Sequence, residues 1–132
     1  MPTKEEYLAW GFDRDAFLRT PWPTTFDRRE RTYLYLFECA GYFKVGIAAD
    51  VEGRRAHLMK GNPLDIASVR TVLFPSRLQA LMAERAIHQA LSDTHHRGEW
   101  FAVDRARVGG LITVVCEAVR VSAEKRGRRV RA

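Results

Sequence analysis

Four side chains in the middle of this chain, Tyr33, Lys44, Arg54 and Glu84, supply a phenol, an ammonium, a guanidinium and a carboxylate. Together these are the groups that metal-assisted cleavage of a phosphodiester requires. A carboxylate holds Mg²⁺ or Mn²⁺, both of which favour oxygen ligands. A guanidinium offers a planar fork of donors to a phosphate whose charge grows in the transition state. A phenol takes a proton from water once its pKa is depressed, and a nearby ammonium depresses it by favouring phenolate. Taken singly, each residue has an ordinary structural use, so the elements that carry them decide the matter.

Tyr33 and Lys44 fall on the two arms of "TYLYLFECAGYFKVG", which reads as two strands joined at Gly41. Tyr35 lies two residues beyond Tyr33 and therefore on the same side of a sheet. Asp50 is an N-cap for the short helix "VEGRRAHLMK", which carries Arg54 and Arg55 and ends at "GNP". "DIASVRTVLF" reads as a third strand. Pro75 and Ser76 then open a longer helix, "SRLQALMAERAIHQALSD". At 100° per residue, the helical neighbours of Glu84 are Leu81, Ile87, His88 and Leu91, three of them apolar, so this carboxylate faces the core side. "THHRG" reads as a loop and "EWFAV" as a short strand. A last helix from about Asp104 to Val121 carries Val108, Leu111, Ile112, Val115 and Val119 as one apolar stripe.

The order of elements predicts an α+β domain, a small three-stranded antiparallel sheet flanked by helices, with an extra N-terminal segment and a C-terminal helix. The expected divisions are an extension over 1–30, the sheet domain over 31–103, a helix over 104–123 and a basic tail over 124–132. At 132 residues there is room for one such domain. No apolar run is long enough to span a membrane, and the N-terminus lacks the charged-then-apolar order of a signal peptide. Cys39 and Cys116 make neither a metal spacing nor a disulfide framework, which fits a reducing compartment; the expected location is the cytoplasm.

The net charge of +6 favours a polyanionic partner. The tail "EKRGRRVRA" accounts for +4 of it, five cations (Lys125, Arg126, Arg128, Arg129 and Arg131) against Glu124. These residues, with Arg54, Arg55 and Arg70, are expected to grip a phosphate backbone without regard to sequence. DNA is the expected partner, with RNA as a second substrate class, and no membrane. Both a monomer and a homodimer fit.

"TYLYLFECAGYFKVG", "DVEGRRAHLMKGNP", "LQALMAERAIHQAL" and "GEWF", in that order, resemble the GIY-YIG nuclease superfamily, most closely its stand-alone branch with a Lys-Val-Gly second motif. The resemblance covers about residues 32–103. Its spacings agree, with eleven residues from Tyr33 to Lys44 and ten from Lys44 to Arg54. It implies a metal-dependent endonuclease acting on DNA. Tyr33 would be the first-motif tyrosine, Lys44 would stand in the tyrosine position of the second motif with Gly46 as its glycine, Arg54 would contact phosphate, and Glu84 would bind the metal. Tyr35 is the rival for the first-motif role, and spacing favours Tyr33. Two positions depart from the pattern. Lys44 replaces a phenol by a cation, which suits activation of the tyrosine. The asparagine that many members carry after the glutamate is missing, since Asn62 precedes Glu84; His88, His95, His96 and Glu99 are the candidates for its role. His88 is also expected either to shuttle a proton or to hydrogen-bond locally. A catalytically weak or silent nucleic-acid-binding module on the same scaffold is the alternative function.

Overall fold

The hairpin forms as the sequence pattern requires. Strands β1 (Thr32–Cys39) and β2 (Tyr42–Ala48) pair antiparallel, with Cys39 opposite Tyr42, which leaves Ala40 and Gly41 as a two-residue turn. Both have positive φ, 52° and 85°, the conformation that matches the twist of flanking strands. Glycine takes it freely; Ala40 does so at a cost of about 1 kcal/mol. The computed structural model describes residues 1–23, 27 and 29–131, with side chains through 127.

The sheet is antiparallel, in the order β3-β1-β2-β5-β4. Its other strands are β3 (Ala67–Phe74), β4 (His95–Arg97) and β5 (Trp100–Phe101). The three expected strands are therefore extended by a two-strand ribbon. β4 is the segment "HHR", expected as loop; it forms a strand by pairing with β5 although all three of its residues are exposed.

Helices cover both faces. Below the sheet lie α1 (Lys4–Ala9), α2 (Arg14–Arg19), α4 (Arg77–Ala90) and α5 (Arg105–Arg131). They pack on Leu34, Leu36, Phe43, Val45, Val72 and Phe74 to form the main core. α5 supplies the expected stripe, with Val108, Leu111, Val115 and Val119 all fully buried. It runs on through the segment expected as a tail. Above the sheet, α3 (Val51–Met59) closes a smaller core around Tyr35, Phe37, Cys39 and Ile66. The protein is thus an α+β domain with a five-stranded antiparallel sheet flanked by helices. Among the described residues, no helix is long and apolar enough to cross a membrane.

The N-terminal segment is part of the packed body. Arg14 grips Glu117 of α5 through two hydrogen bonds of 2.9 and 2.8 Å. The Trp22 indole donates to Ser122 at 2.6 Å, and the Trp10 ring lies against Gly110. Arg107, on α5, donates to the carbonyls of Trp10 and Ala90 and pairs with Asp93, tying the segment to the end of α4.

Candidate active site

The register of the hairpin sets the site. Tyr33, Tyr35 and Phe37 stand opposite Ala48, Gly46 and Lys44. Directly paired residues share a face, so the two tyrosines, Lys44 and Gly46 all point toward the α3 side. Tyr35 is 2% exposed and stacks on Phe37 with ring centroids 4.1 Å apart. Its hydroxyl passes directly over Gly46, where any Cβ would collide with it. A glycine is needed here to make room for the phenol, not for backbone freedom.

Arg54 approaches from α3. Asp50 caps that helix by accepting from the Gly53 amide at 3.0 Å, which fixes where its first turn begins. The exposed Arg54 guanidinium lies close enough to the Tyr35 hydroxyl for its charge to act on it. Burial pushes the Tyr35 phenol above its ordinary value. Arg54 opposes this through hydrogen bonding and charge, while Glu99 and Glu84 add to it. Burial thus opposes ionisation of the Tyr35 phenol, whereas the phenol that the sequence led us to expect activated is that of Tyr33.

Lys44 is the most deeply placed cation of the group. Its side chain is 4% exposed, and its ammonium pairs with the Glu99 carboxylate, itself 66% exposed. The expected partner was the phenol of Tyr33. Glu99 stands in the turn of the β4–β5 ribbon, between Arg97 and Trp100, which pair with each other while Trp100 also pairs with Lys44. The pair with Lys44 holds the Glu99 carboxyl below its usual range.

Glu84 enters from α4, whose start is fixed by Ser76 capping the Gln79 amide at 3.3 Å. It is half-buried. Burial raises its carboxyl above the ordinary value and Glu99 adds to the rise, while His88 and Lys44 pull it down. His88, one turn on, has Nε2 2.6 Å from the Val45 carbonyl. A carbonyl only accepts, so Nε2 carries the proton and the ring anchors α4 to β2. Its ring also tilts against Phe101 at 5.3 Å.

Tyr35, Lys44, Arg54, Glu84, His88 and Glu99 thus form one electrostatic neighbourhood. Tyr33 stands one pair further along the strand, half-buried, in a separate hollow of about 480 Å³ lined also by Asp50, Glu52, Ser68 and Thr71. Among the described residues no group of three or more His, Cys, Asp or Glu side chains converges as a ready-made metal cage.

The expected phosphate grips are largely engaged elsewhere. Arg55 donates from Nε to the Ile66 carbonyl at 2.5 Å and lies 3.6 Å from Glu52. Arg70 ties β3 to α5 through Thr113 at 2.8 Å. Arg126 lies over the Trp22 ring at 5.3 Å, and Lys125 is exposed. The side chains of Arg128 and Arg129 lie outside the described residues. Glu99, one of several candidates for a vacant role in the sequence, is the carboxylate that the fold brings to Lys44; the signal was "EWF", a strand short enough to add only to the edge of β2.

Neither the curated proteins nor the solved structures give a significant match. A family model does match, over residues 32–116, which span the sheet, α3, α4 and the first half of α5. The chain belongs to the family of that model, the T5orf172 domain, a domain of nuclease-type fold.

Proposed function

We propose that this protein is a metal-dependent endonuclease of the GIY-YIG type that hydrolyses phosphodiester bonds in DNA. The observation that carries the reading is that Tyr35, Lys44, Arg54 and Glu84, from two strands and two helices, lie close enough to act on one another's charge. Family membership supports a nuclease or nucleic-acid-binding role.

The first-motif phenol in this reading is Tyr35, because Tyr35 stands over Gly46 and feels the charge of Arg54, whereas Tyr33 lines a different hollow. Glu84 fits a hard divalent cation. Its half-buried carboxyl is raised chiefly by burial, a cost of charge that a bound Mg²⁺ or Mn²⁺ would offset. With few protein donors, such a cation would keep most of its waters, as Mg²⁺ commonly does. When bound, it supplies Lewis acidity at the leaving oxygen. Arg54 donates to the non-bridging oxygens as their charge grows. The Tyr35 hydroxyl orients the attacking water, with Arg54 working against the burial that keeps the phenol protonated. As the water oxygen bonds to phosphorus and gives up a proton to solvent, the ester P–O bond breaks and the departing oxygen takes up a proton from solvent, so the protons balance. His88, its Nε2 committed to Val45, positions α4 and thereby Glu84.

The test is a plasmid-nicking assay in Mg²⁺, in Mn²⁺ and in chelator, with a single-stranded RNA in parallel. Wild type is expected to nick only with cation, and Glu84→Ala, Arg54→Ala and Tyr35→Phe to lose roughly a hundredfold or more. Tyr33→Phe is expected to retain cutting. Nicking that survives both chelator and Glu84→Ala refutes the reading. The engagement of Lys44 by Glu99 and the sparse metal donors favour one alternative, a nucleic-acid-binding module; its signature is salt-sensitive DNA binding by a wild type that never cuts.

A further inference from the structure

We propose that Glu99 is a positioning residue of this site: from the turn of the β4–β5 ribbon its carboxylate fixes the buried Lys44 ammonium in the place from which it meets the reacting phosphate. The inference rests on the nuclease reading and adds to it a residue and a structural device.

The two partners need each other unequally. Lys44 projects from the middle of β2, between Phe37 on β1 and Trp100 on β5, and its side chain is 4% exposed. An ammonium in that position requires a counter-charge. Glu99, at 66% exposure, is open to solvent and would be hydrated without any partner. The pair therefore does little for the carboxylate and a great deal for the amine.

The inner strand of the ribbon packs, with Phe101 in the main core and Trp100 against the smaller one, but its outer strand does not. None of His95, His96 and Arg97 is buried, so β4 adds nothing to either core. What the ribbon does have is a set of braces. Phe101 is buried in the main core, the His95 ring donates to the Gly98 carbonyl, and the His96 ring stacks on Tyr42 at 4.3 Å. Gly98, with φ of 60°, allows the two-residue turn that places Glu99 beside Lys44. Together these braces hold the turn that carries Glu99.

Electrostatics gives the inference a signature. The charged and titratable groups around Lys44 come from four other elements: Tyr35 on β1, Arg54 on α3, Glu84 and His88 on α4, and Glu99 itself. An anion beside a phosphate site opposes DNA binding, so a carboxylate there is useful only if it improves the chemistry by orienting the ammonium. Removing its charge while keeping its shape should therefore move binding and turnover in opposite directions.

The experiment compares Glu99→Gln and Glu99→Asp with wild type. Affinity for a short fluorescent duplex is measured in chelator, nicking is measured at saturating protein, and the Lys44 ammonium is followed by ¹⁵N NMR in the free protein. Glu99→Gln is expected to bind the duplex at least as tightly as wild type, to nick about ten- to a hundredfold more slowly, and to lose the restrained ammonium signal. Glu99→Asp is expected to recover part of both the rate and the signal. Wild-type nicking by Glu99→Gln, or equal losses of binding and rate, overturns the proposal. If the wild type fails to nick with any cation, the nuclease reading falls on its own. The positioning role then stands or falls on the free protein, where an unchanged ammonium signal in Glu99→Gln overturns it.

Discussion

The glycine beneath the phenol allows a sharp test of how the site is packed. Gly46→Ala adds one methyl group at a position of ordinary backbone, where the new carbon would fall on the Tyr35 hydroxyl and 3.0 Å from its Cε2. Two responses compete. The ring could leave its slot, which returns roughly 150–200 Å² of aromatic surface to water at ~25 cal/mol/Å², a loss of about 4–5 kcal/mol. It could instead stay and shift, which pushes it into fully buried Phe37, against which it already stacks at 4.1 Å. Overpacking of this kind costs about 1–3 kcal/mol, so the ring stays and the structure takes up the strain. For a chain of this size each kcal/mol lowers the melting temperature by roughly 3–5 °C, so a fall of about 3–15 °C is expected. Thermal and urea unfolding followed by circular dichroism would measure it, with nicking assayed on the same samples. Gly109→Ala is the control: nothing lies within 4 Å of the new carbon and the residue is helical, so the same chemical change should stabilise by about 0.5–1 kcal/mol. A Gly46→Ala protein that melts within about 2 °C of wild type would refute the claim that the phenol occupies the space over this glycine.

Other outcomes follow from the same contacts. Gly110→Ala, next to the control, would drive a methyl into the Trp10 ring, so it should destabilise by about 1–3 kcal/mol; neighbouring glycines then respond with opposite sign. Because the Glu84 carboxyl lies above its ordinary value of 4.5, the stability it contributes is complete below that pH and is lost as pH rises through the raised value. Glu84→Gln should therefore melt higher than wild type at pH 7, with the gap closing toward pH 4, and millimolar Mn²⁺ should raise the melting temperature of wild type alone. Asp50→Ala removes the cap of α3 and should cost about 1 kcal/mol while also slowing nicking, because Arg54 sits in the turn that the cap fixes. Burial pushes the Cys116 thiol up to about 12, so native protein at pH 8 should leave it unlabelled by a disulfide-exchange reagent, and denaturant should expose it.

Much of the fold was legible because local chemistry decides it. Asp50 caps the helix it was expected to cap, the longer helix opens at Ser76, which caps it, and Gly41 turns the hairpin. β4 was not legible, since three exposed polar residues carry no alternation and owe their conformation to a partner strand. Charge drew attention to 124–132 as a tail, yet Glu, Lys and Arg are good helix formers and α5 continues through it. At the site, the residue types and their spacing singled out Lys44, Arg54 and Glu84, whose neighbours the fold then supplied. Counting residues favoured Tyr33. Register decides which tyrosine lies over Gly46, and that depends on the two-residue turn rather than on motif spacing. The pairing of Lys44 with Glu99 joins positions 55 apart through a strand of two residues, which leaves almost no periodic trace.

The grip of Arg14, Trp10 and Trp22 on α5 bears on how this protein can be taken apart. The family match stops at residue 116, midway along that helix. A fragment cut there would lose Glu117, the counter-ion of Arg14, and with it Ala118 and Val119, both sealed from solvent in the intact chain. A fragment cut at residue 32 would strip Phe12 from the same surface. The smallest piece able to stand alone is therefore longer than the span that the family model matches, and an expression vector, a fusion joint or a protease-resistant core should be sought outside both of those boundaries.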